Sequence, residues 1–145
     1  MDRAAAEQLI GRLELDARAL ARVFGLGYRA IESEHAGVRR RLGVCYADGT
    51  IRIRLFHAST GRPLKYSSLI DTLCHELAHL RHFNHGARFQ AFYRRILEHA
   101  RRVGIYRPGR EVSVAIGLRP PRLRGDALAG IGEVRAHRPE QLMLF

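Results

Sequence analysis

The sequence has few of the residues that mark secreted scaffolds and membrane proteins. It contains two cysteines, Cys45 and Cys74, and no tryptophan. Two cysteines cannot build the dense disulfide framework of a small secreted domain. The chain has no run of about 18 apolar residues, the length that a transmembrane helix needs, and the segment after Met1 lacks the apolar core of a signal peptide. We therefore expect a cytoplasmic protein with no membrane partner.

Lysine is almost absent, and acidic residues are outnumbered. The chain has 25 lysines plus arginines against 14 acidic residues, Lys65 is the only lysine, and the formal net charge is +11. Arginine presents a planar fork of donors that matches phosphate and carboxylate groups. Two interpretations stay open: an arginine-rich surface that binds DNA or an acidic substrate, and an arginine-rich composition that keeps the surface soluble.

The length and composition favour one domain with a tail. A chain of 145 residues with 46% hydrophobic residues can bury a single core. From Arg119 onward, Pro120-Pro121 and scattered glycines replace the large apolar residues. We predict a single domain over residues 1–118 and a C-terminal tail over residues 119–145 that is partly ordered or flexible.

The pattern of apolar residues predicts helices around a small sheet. Helical spacing indicates a first helix from Arg3 to Phe24, ended by Gly25 and Gly27. Asp48-Gly49 between two alternating runs predicts a β-hairpin, and Tyr28 to Ile31 reads as a weaker strand before it. The expected sheet is antiparallel, with one apolar face and one arginine-bearing face.

Two further helices are expected after the hairpin. The segment from Ser67 to Asp71 resembles a capping box and predicts a helix to about His82. A second helix is expected from near Gly86 to Gly104, with arginines along its polar face. Glu111 to Leu118 could add a strand or an extended segment. The fold class is therefore α+β.

The pentapeptide His75-Glu76-Leu77-Ala78-His79 carries the clearest chemical signal. Within a helix the two histidines lie one turn apart, about 6 Å along the axis, so both imidazoles can converge on one metal ion. That pattern suits Zn²⁺, which accepts neutral histidine nitrogen and keeps an open position for water in catalytic sites. Glu76, beside the metal, fits the role of general base toward that water.

A third metal ligand could come from His82 or His85. On a straight helix, His75, His79 and His82 would span about 10 Å of axis, which is too long for one zinc ion with ligands near 2 Å. If the helix ends around Phe83-Asn84, the chain can turn and bring His85 back to the metal. We predict His85 as the third ligand and His82 as an exposed or neighbouring residue.

Other residues near the motif have two interpretations each. Asp71, one turn before His75, could orient its imidazole, although an acidic residue in a first helical turn is the favoured interpretation. Tyr93, His57 and Tyr66 are candidates for stabilising the oxyanion of amide hydrolysis, with core packing or loop exposure as the alternative. Cys74 is expected to be a buried thiol.

The same residues resemble a known family, the WLM metalloproteases, which are related to the SprT-like and YgjP-like groups. The resemblance covers roughly residues 40–100 and is carried by 51–55, 64–66 and 71–79, with His85 and Phe89. It implies a minimal zincin fold of the gluzincin type, with a sheet beside the active-site helix and a supporting helix. It also implies a zinc metalloendopeptidase, in which His75, His79 and His85 hold the metal, Glu76 is catalytic and Phe89 packs.

The expected substrate is a protein or peptide, and the resemblance to the WLM and SprT-like groups implies DNA-linked substrates. One alternative is a domain that keeps zinc only for folding, although such a site is normally closed by a fourth protein ligand. Another is a basic nucleic-acid-binding domain with a structural zinc site.

Overall fold

Three helices and a three-stranded sheet make up the part of the chain that the computed structural model describes, residues 3–35, 37–38 and 40–109. The expected α+β class is confirmed. The possible strand at Glu111 to Leu118, the domain boundary at residue 118 and the tail 119–145 lie outside the described residues. The elements in chain order are α1 (Arg3–Phe24), β1 (Ala30–Ser33), β2 (Gly43–Cys45), β3 (Thr50–Ile53), α2 (Tyr66–His79) and α3 (Ala87–Arg102).

The sheet is mixed, with β3 in the centre and strand order β1-β3-β2. The predicted hairpin is confirmed: β2 and β3 are antiparallel, and Gly49 adopts a positive φ of 95° at the turn. The expectation of a wholly antiparallel sheet is wrong for β1, which runs parallel to β3. The connection after β1 carries the chain to the far side of β3, so β1 and β2 become opposite edges.

The two faces of the sheet differ as the alternation predicts. Ile51 and Ile53 of β3 are fully buried, whereas Arg52 between them is partly exposed. α1 contributes a buried stripe at helical spacing, with Leu13, Ala17 and Leu20 inaccessible to solvent. Among the described residues, no helix has the length and apolar character needed to cross a membrane.

Helix α2 is the centre of the domain, because α1, α3 and the sheet all pack against it. Every residue of α2 except Ser68 is buried. Cys74 is among them, as expected, and burial raises the pKa of its thiol well above the usual value. Polar side chains on such a helix must therefore find partners inside the protein.

The ends of the helices differ in part from the sequence prediction. The capping box is wrong: Lys65 is the N-cap of α2 and makes no side-chain cap hydrogen bond, while Ser68 and Asp71, the serine and carboxylate three residues apart, both lie within the helix. α2 also ends at His79, earlier than the expected His82. α3 begins after Gly86 and ends before Gly104, close to the predicted limits.

Candidate metal centre

Two histidines of the cluster come from the last turns of α2. His75 and His79 are only 3% and 5% exposed, and their ring centroids lie 5.0 Å apart. The four-residue spacing places both side chains on one face of the helix, as the sequence predicts. Both rings point into the packing interface with α3, where Phe89 contacts each of them.

The third histidine, His85, reaches the same point from the turn between α2 and α3. Its Nε2 atom lies 3.0 Å from Nε2 of His79 and 3.3 Å from Nε2 of His75. One ligand atom from each of the three residues lies within 4.8 Å of the others. The early end of α2 makes this possible, because the chain leaves the helix axis before residue 85. His85 is partly exposed, so the cluster is open to solvent on its side.

His82 lies close to the cluster but contributes its backbone. Nδ1 of His79 lies 3.1 Å from the carbonyl oxygen of His82, and because that oxygen can only accept, Nδ1 carries the proton and donates. The His79 tautomer is thereby set with the Nε2 lone pair directed at the cluster. The His82 ring packs on Phe92, with centroids 5.6 Å apart. The geometry brings His85, and not the His82 imidazole, to His75 and His79.

The aromatic ring of Phe89 forms one wall of the cluster. Its centroid lies 4.9 Å from His75, 4.5 Å from His79 and 4.8 Å from His85. Phe89 is 1% exposed and belongs to α3, so the supporting helix holds all three imidazoles from one side. The packing role that the family resemblance implies for Phe89 is therefore a direct contact with the histidines.

Glu76 lies beside the cluster and is enclosed by the edge strand β2. Its side chain is 1% exposed. The β2 backbone passes so closely at Gly43 that a Cβ there would lie 3.0 Å from Oε2 of Glu76 and 2.7 Å from Cγ2 of Thr72. Sequence reasoning missed Gly43, although a glycine at the start of a predicted hairpin strand is a signal for a close backbone approach.

Asp71 and Tyr93 form a buried hydrogen bond between α2 and α3. The Tyr93 hydroxyl donates to Oδ1 of Asp71, and Asp71 is only 5% exposed. Burial, together with the nearby Asp71 carboxylate, raises the pKa of Tyr93 far above its usual value. The interpretation of Asp71 as an acidic residue of a first helical turn is wrong, because the side chain is buried against α3.

The three candidates for oxyanion stabilisation do not join the histidines as donors. The Tyr93 hydroxyl is engaged with Asp71, and the Tyr66 hydroxyl donates to Asp16 of α1 at 2.6 Å. His57 is exposed in the segment after β3. The alternative interpretations describe them better: core packing for Tyr93 and Tyr66, and loop exposure for His57.

The donor set fits a tetrahedral metal ion. Two nitrogens bound to zinc at about 2.0–2.1 Å with tetrahedral angles are separated by about 3.3 Å. The two separations that involve His85, 3.0 and 3.3 Å, are close to that value, and all three ligand atoms lie within 4.8 Å of one another. Converging imidazole nitrogens repel one another unless a cation or proton lies between them. Within the described residues the cluster has three members, one fewer than the four ligands of a tetrahedral ion. The arrangement could therefore bind a divalent metal ion.

Comparisons with known proteins agree with this geometry. No curated protein matches the chain. The crystal structure of a Wss1 mutant from Saccharomyces cerevisiae superposes with a TM-score of 0.65 at 18% identity, covering 72% of this chain and 87% of that one. This likeness supports the zincin-like fold. The model of the WLM domain family matches residues 34–115, more than half of the sequence. The resemblance noted in the sequence is thus confirmed, and the chain belongs to the WLM family.

Proposed function

We propose that this protein is a zinc-dependent metallopeptidase that hydrolyses peptide bonds in protein substrates, with His75, His79 and His85 as metal ligands. The observation that carries the proposal is the convergence of three imidazole Nε2 atoms, with His85 lying 3.0 Å from His79 and 3.3 Å from His75, at the end of the helix in which Glu76 follows His75. Membership of the WLM family supports a protease. The cluster has three protein ligands among the described residues, the number typical of catalytic zinc, whereas structural sites usually have four.

The residues around the cluster have distinct roles in this mechanism. A bound zinc ion would polarise the scissile carbonyl and make water more acidic. Glu76 takes the proton from the attacking water and passes it to the leaving amine, as a general base and then a general acid. The hydrogen bond from His79 to the His82 carbonyl keeps the His79 lone pair directed at the metal. The backbone of β2 at Gly43 packs closely against the Glu76 carboxylate and limits where it can move.

The experiment that tests the proposal separates metal binding from hydrolysis. Glu76→Gln keeps the shape of the side chain and removes its basicity, so zinc per chain should equal that of the wild type. Cleavage of an unfolded, fluorescently labelled protein should fall by about a hundred- to ten-thousandfold, the usual contribution of a general base. The matched control is Glu98→Gln on the exposed face of α3, which should keep full activity. Full activity of Glu76→Gln would refute the assigned base.

The α3 helix supports DNA as a partner of this protease. Its polar face carries exposed arginines at five positions: Arg88, Arg94, Arg95, Arg101 and Arg102. Guanidinium groups on one face of a helix can contact successive phosphates, and the net charge of +11 favours the approach of a polyanion. DNA-associated proteins would then be brought to the active site by the nucleic acid.

Binding of a duplex oligonucleotide at two salt concentrations tests this partner. Binding driven by phosphate contacts falls steeply with salt, so affinity should drop at least tenfold between about 50 and 200 mM salt. Reversing charge with Arg94→Glu and Arg102→Glu should remove most of the binding. No binding at low salt would exclude DNA as a partner. Strong binding with zinc present but no hydrolysis would favour the alternative, a nucleic-acid-binding domain with a structural zinc site.

A further inference from the structure

Tyr93 contacts the candidate metal centre with its ring and Asp71 with its hydroxyl. The Tyr93 ring packs edge-on against the His75 imidazole, with centroids 5.3 Å apart and planes at 75°. Its hydroxyl donates to Oδ1 of Asp71. Tyr93 is 8% exposed and Asp71 5%, so water does not compete freely for either contact. One side chain of α3 therefore joins two residues of α2.

The two residues of α2 that Tyr93 joins are neighbours on one helical face. Asp71 precedes His75 by four residues, which places the carboxylate one turn below the imidazole. Phe89, one turn before Tyr93 on α3, stacks beside it with centroids 5.9 Å apart and contacts the same imidazole. His75 thus packs against an aromatic pair from α3, and the carboxylate that accepts the Tyr93 hydroxyl lies one turn before it on α2.

The packing around His75 restricts the rotation of its imidazole ring. A metal ligand loses affinity when its ring can turn, and the groups that hold ligand histidines contribute about 10- to 100-fold to metal affinity. For His79 the hydrogen bond to the His82 carbonyl restricts the ring. The His75 ring packs against the rings of Phe89 and Tyr93, and the hydroxyl bond to Asp71 restricts the Tyr93 ring in turn.

We propose that Tyr93 is a positioning residue for His75: its hydroxyl bond to Asp71 locks the tyrosine ring in the orientation that holds the His75 imidazole toward the other two histidines. This inference rests on the proposed metal site and adds a residue that lies outside the histidine motif. The Asp71 carboxylate also places a buried negative charge one turn from the metal position, which favours a bound cation.

The chain contains a matched control for the loss of a tyrosine hydroxyl. Tyr66, also on α2, donates its hydroxyl to Asp16 at 2.6 Å and is 9% exposed. Its ring lies under the guanidinium of Arg12, 3.6 Å from the ring centroid. Tyr66→Phe and Tyr93→Phe therefore both remove a hydroxyl that bonds a carboxylate across two helices. Only Tyr93 contacts a histidine of the cluster.

The test measures zinc affinity and metal-free stability of the full chain in both variants. Affinity is determined by competition with a chromophoric chelator, and stability by urea denaturation after metal removal. We expect both variants to lose stability without metal, and Tyr93→Phe alone to bind zinc about tenfold more weakly. In the cobalt-substituted protein, Tyr93→Phe should shift the visible absorption bands that report ligand geometry, whereas Tyr66→Phe should leave them unchanged.

If Tyr93→Phe kept the zinc affinity and the cobalt spectrum of the wild type, the inference would be overturned. The hydrogen bond would then serve only to hold α2 and α3 together. Should Tyr93→Phe fail to fold, the cobalt spectrum of Asp71→Asn decides: an amide oxygen accepts the tyrosine hydroxyl more weakly than a carboxylate does, so the bands should shift, and an unchanged spectrum would overturn the inference. A wild-type protein that binds no zinc overturns both this inference and the proposed function. A wild type that binds zinc and cleaves nothing refutes the peptidase alone, because the affinity comparison does not depend on turnover.

Discussion

Gly43 of the edge strand β2 and Glu76 of α2 are in such close contact that no side chain fits between them. A Cβ at position 43 would lie 3.0 Å from Oε2 of Glu76, 2.7 Å from the Thr72 methyl group and 3.2 Å from the Arg52 carbonyl oxygen. Two of these three atoms belong to α2, and the third is backbone. Position 43 therefore sets how near the sheet lies to the proposed general base.

We predict that Gly43→Ala impairs hydrolysis much more than zinc binding. The added methyl group must displace Glu76 and Thr72, which should slow peptide cleavage at least tenfold and destabilise the fold by about 1–3 kcal/mol. Zinc per chain should be unchanged, because none of the three atoms nearest to the added methyl group belongs to a histidine. The control is Gly11→Ala in α1, where nothing lies within 4 Å and alanine should stabilise the helix by about 1 kcal/mol. Unchanged cleavage by Gly43→Ala would contradict the close approach.

The part of the fold that could be predicted from the sequence is the part that local patterns determine. Helical spacing identified α1 with its correct limits, and Asp48-Gly49 identified the hairpin. The direction of β1 could not be predicted, because a strand's alternation is the same whether it pairs parallel or antiparallel. The capping box failed because α2 begins at Tyr66, before the serine, and Asp71 bonds to Tyr93 of α3 instead of capping the helix.

In the candidate metal centre, too, the residues that local patterns determine could be predicted from the sequence, and those that depend on distant contacts could not. His75, Glu76 and His79 follow from spacing on one helix, and the distance argument correctly brought His85 to them in place of His82. Gly43 and the partnership of Asp71 with Tyr93 come from separate elements, 33 and 22 residues from their partners. A local sequence pattern does not indicate which residues that are distant in sequence become neighbours when the three helices and the sheet pack together.

The different roles of His82 and His85 lead to a prediction about metal binding. His85→Ala removes the third imidazole and should weaken zinc binding by more than about a hundredfold, beyond what the loss of a supporting hydrogen bond does. His82→Ala keeps the backbone carbonyl that accepts from His79, so zinc affinity should stay within about threefold of the wild type. Chelator competition measures both. Equal losses in the two variants would mean that the His82 imidazole reaches the metal.

An ion pair in the connection between β1 and β2 should matter for stability. Nε of Arg41 lies 2.8 Å from Oε2 of Glu34, whose side chain is 1% exposed. Arg41→Ala leaves a buried carboxylate without its cation, and we expect a loss of about 3 kcal/mol in the free energy of unfolding. Arg29→Ala breaks a pair with Asp48 whose side chains are 67% and 50% exposed, and it should cost less than about 1 kcal/mol. Urea denaturation measures the free energy of unfolding of both variants. Similar losses in the two would contradict the expectation that burial makes the Glu34–Arg41 pair the more important one.

Removal of the metal should lower the melting temperature without unfolding the protein. The core that joins α1, α2, α3 and the sheet consists of apolar side chains with little or no exposure, so folding does not depend on a metal bond. A ligand that binds only the folded state stabilises it by about 4 kcal/mol at a thousandfold excess over its dissociation constant.

Circular dichroism after removal of the metal tests this expectation. The far-ultraviolet spectrum of the chelated protein at roughly 20 °C should keep its helical signal. Adding zinc back should restore the melting temperature of the wild type but not that of His75→Ala. A chelated protein that loses its helices would instead fit a domain in which zinc serves folding, because structural zinc sites supply folding free energy directly.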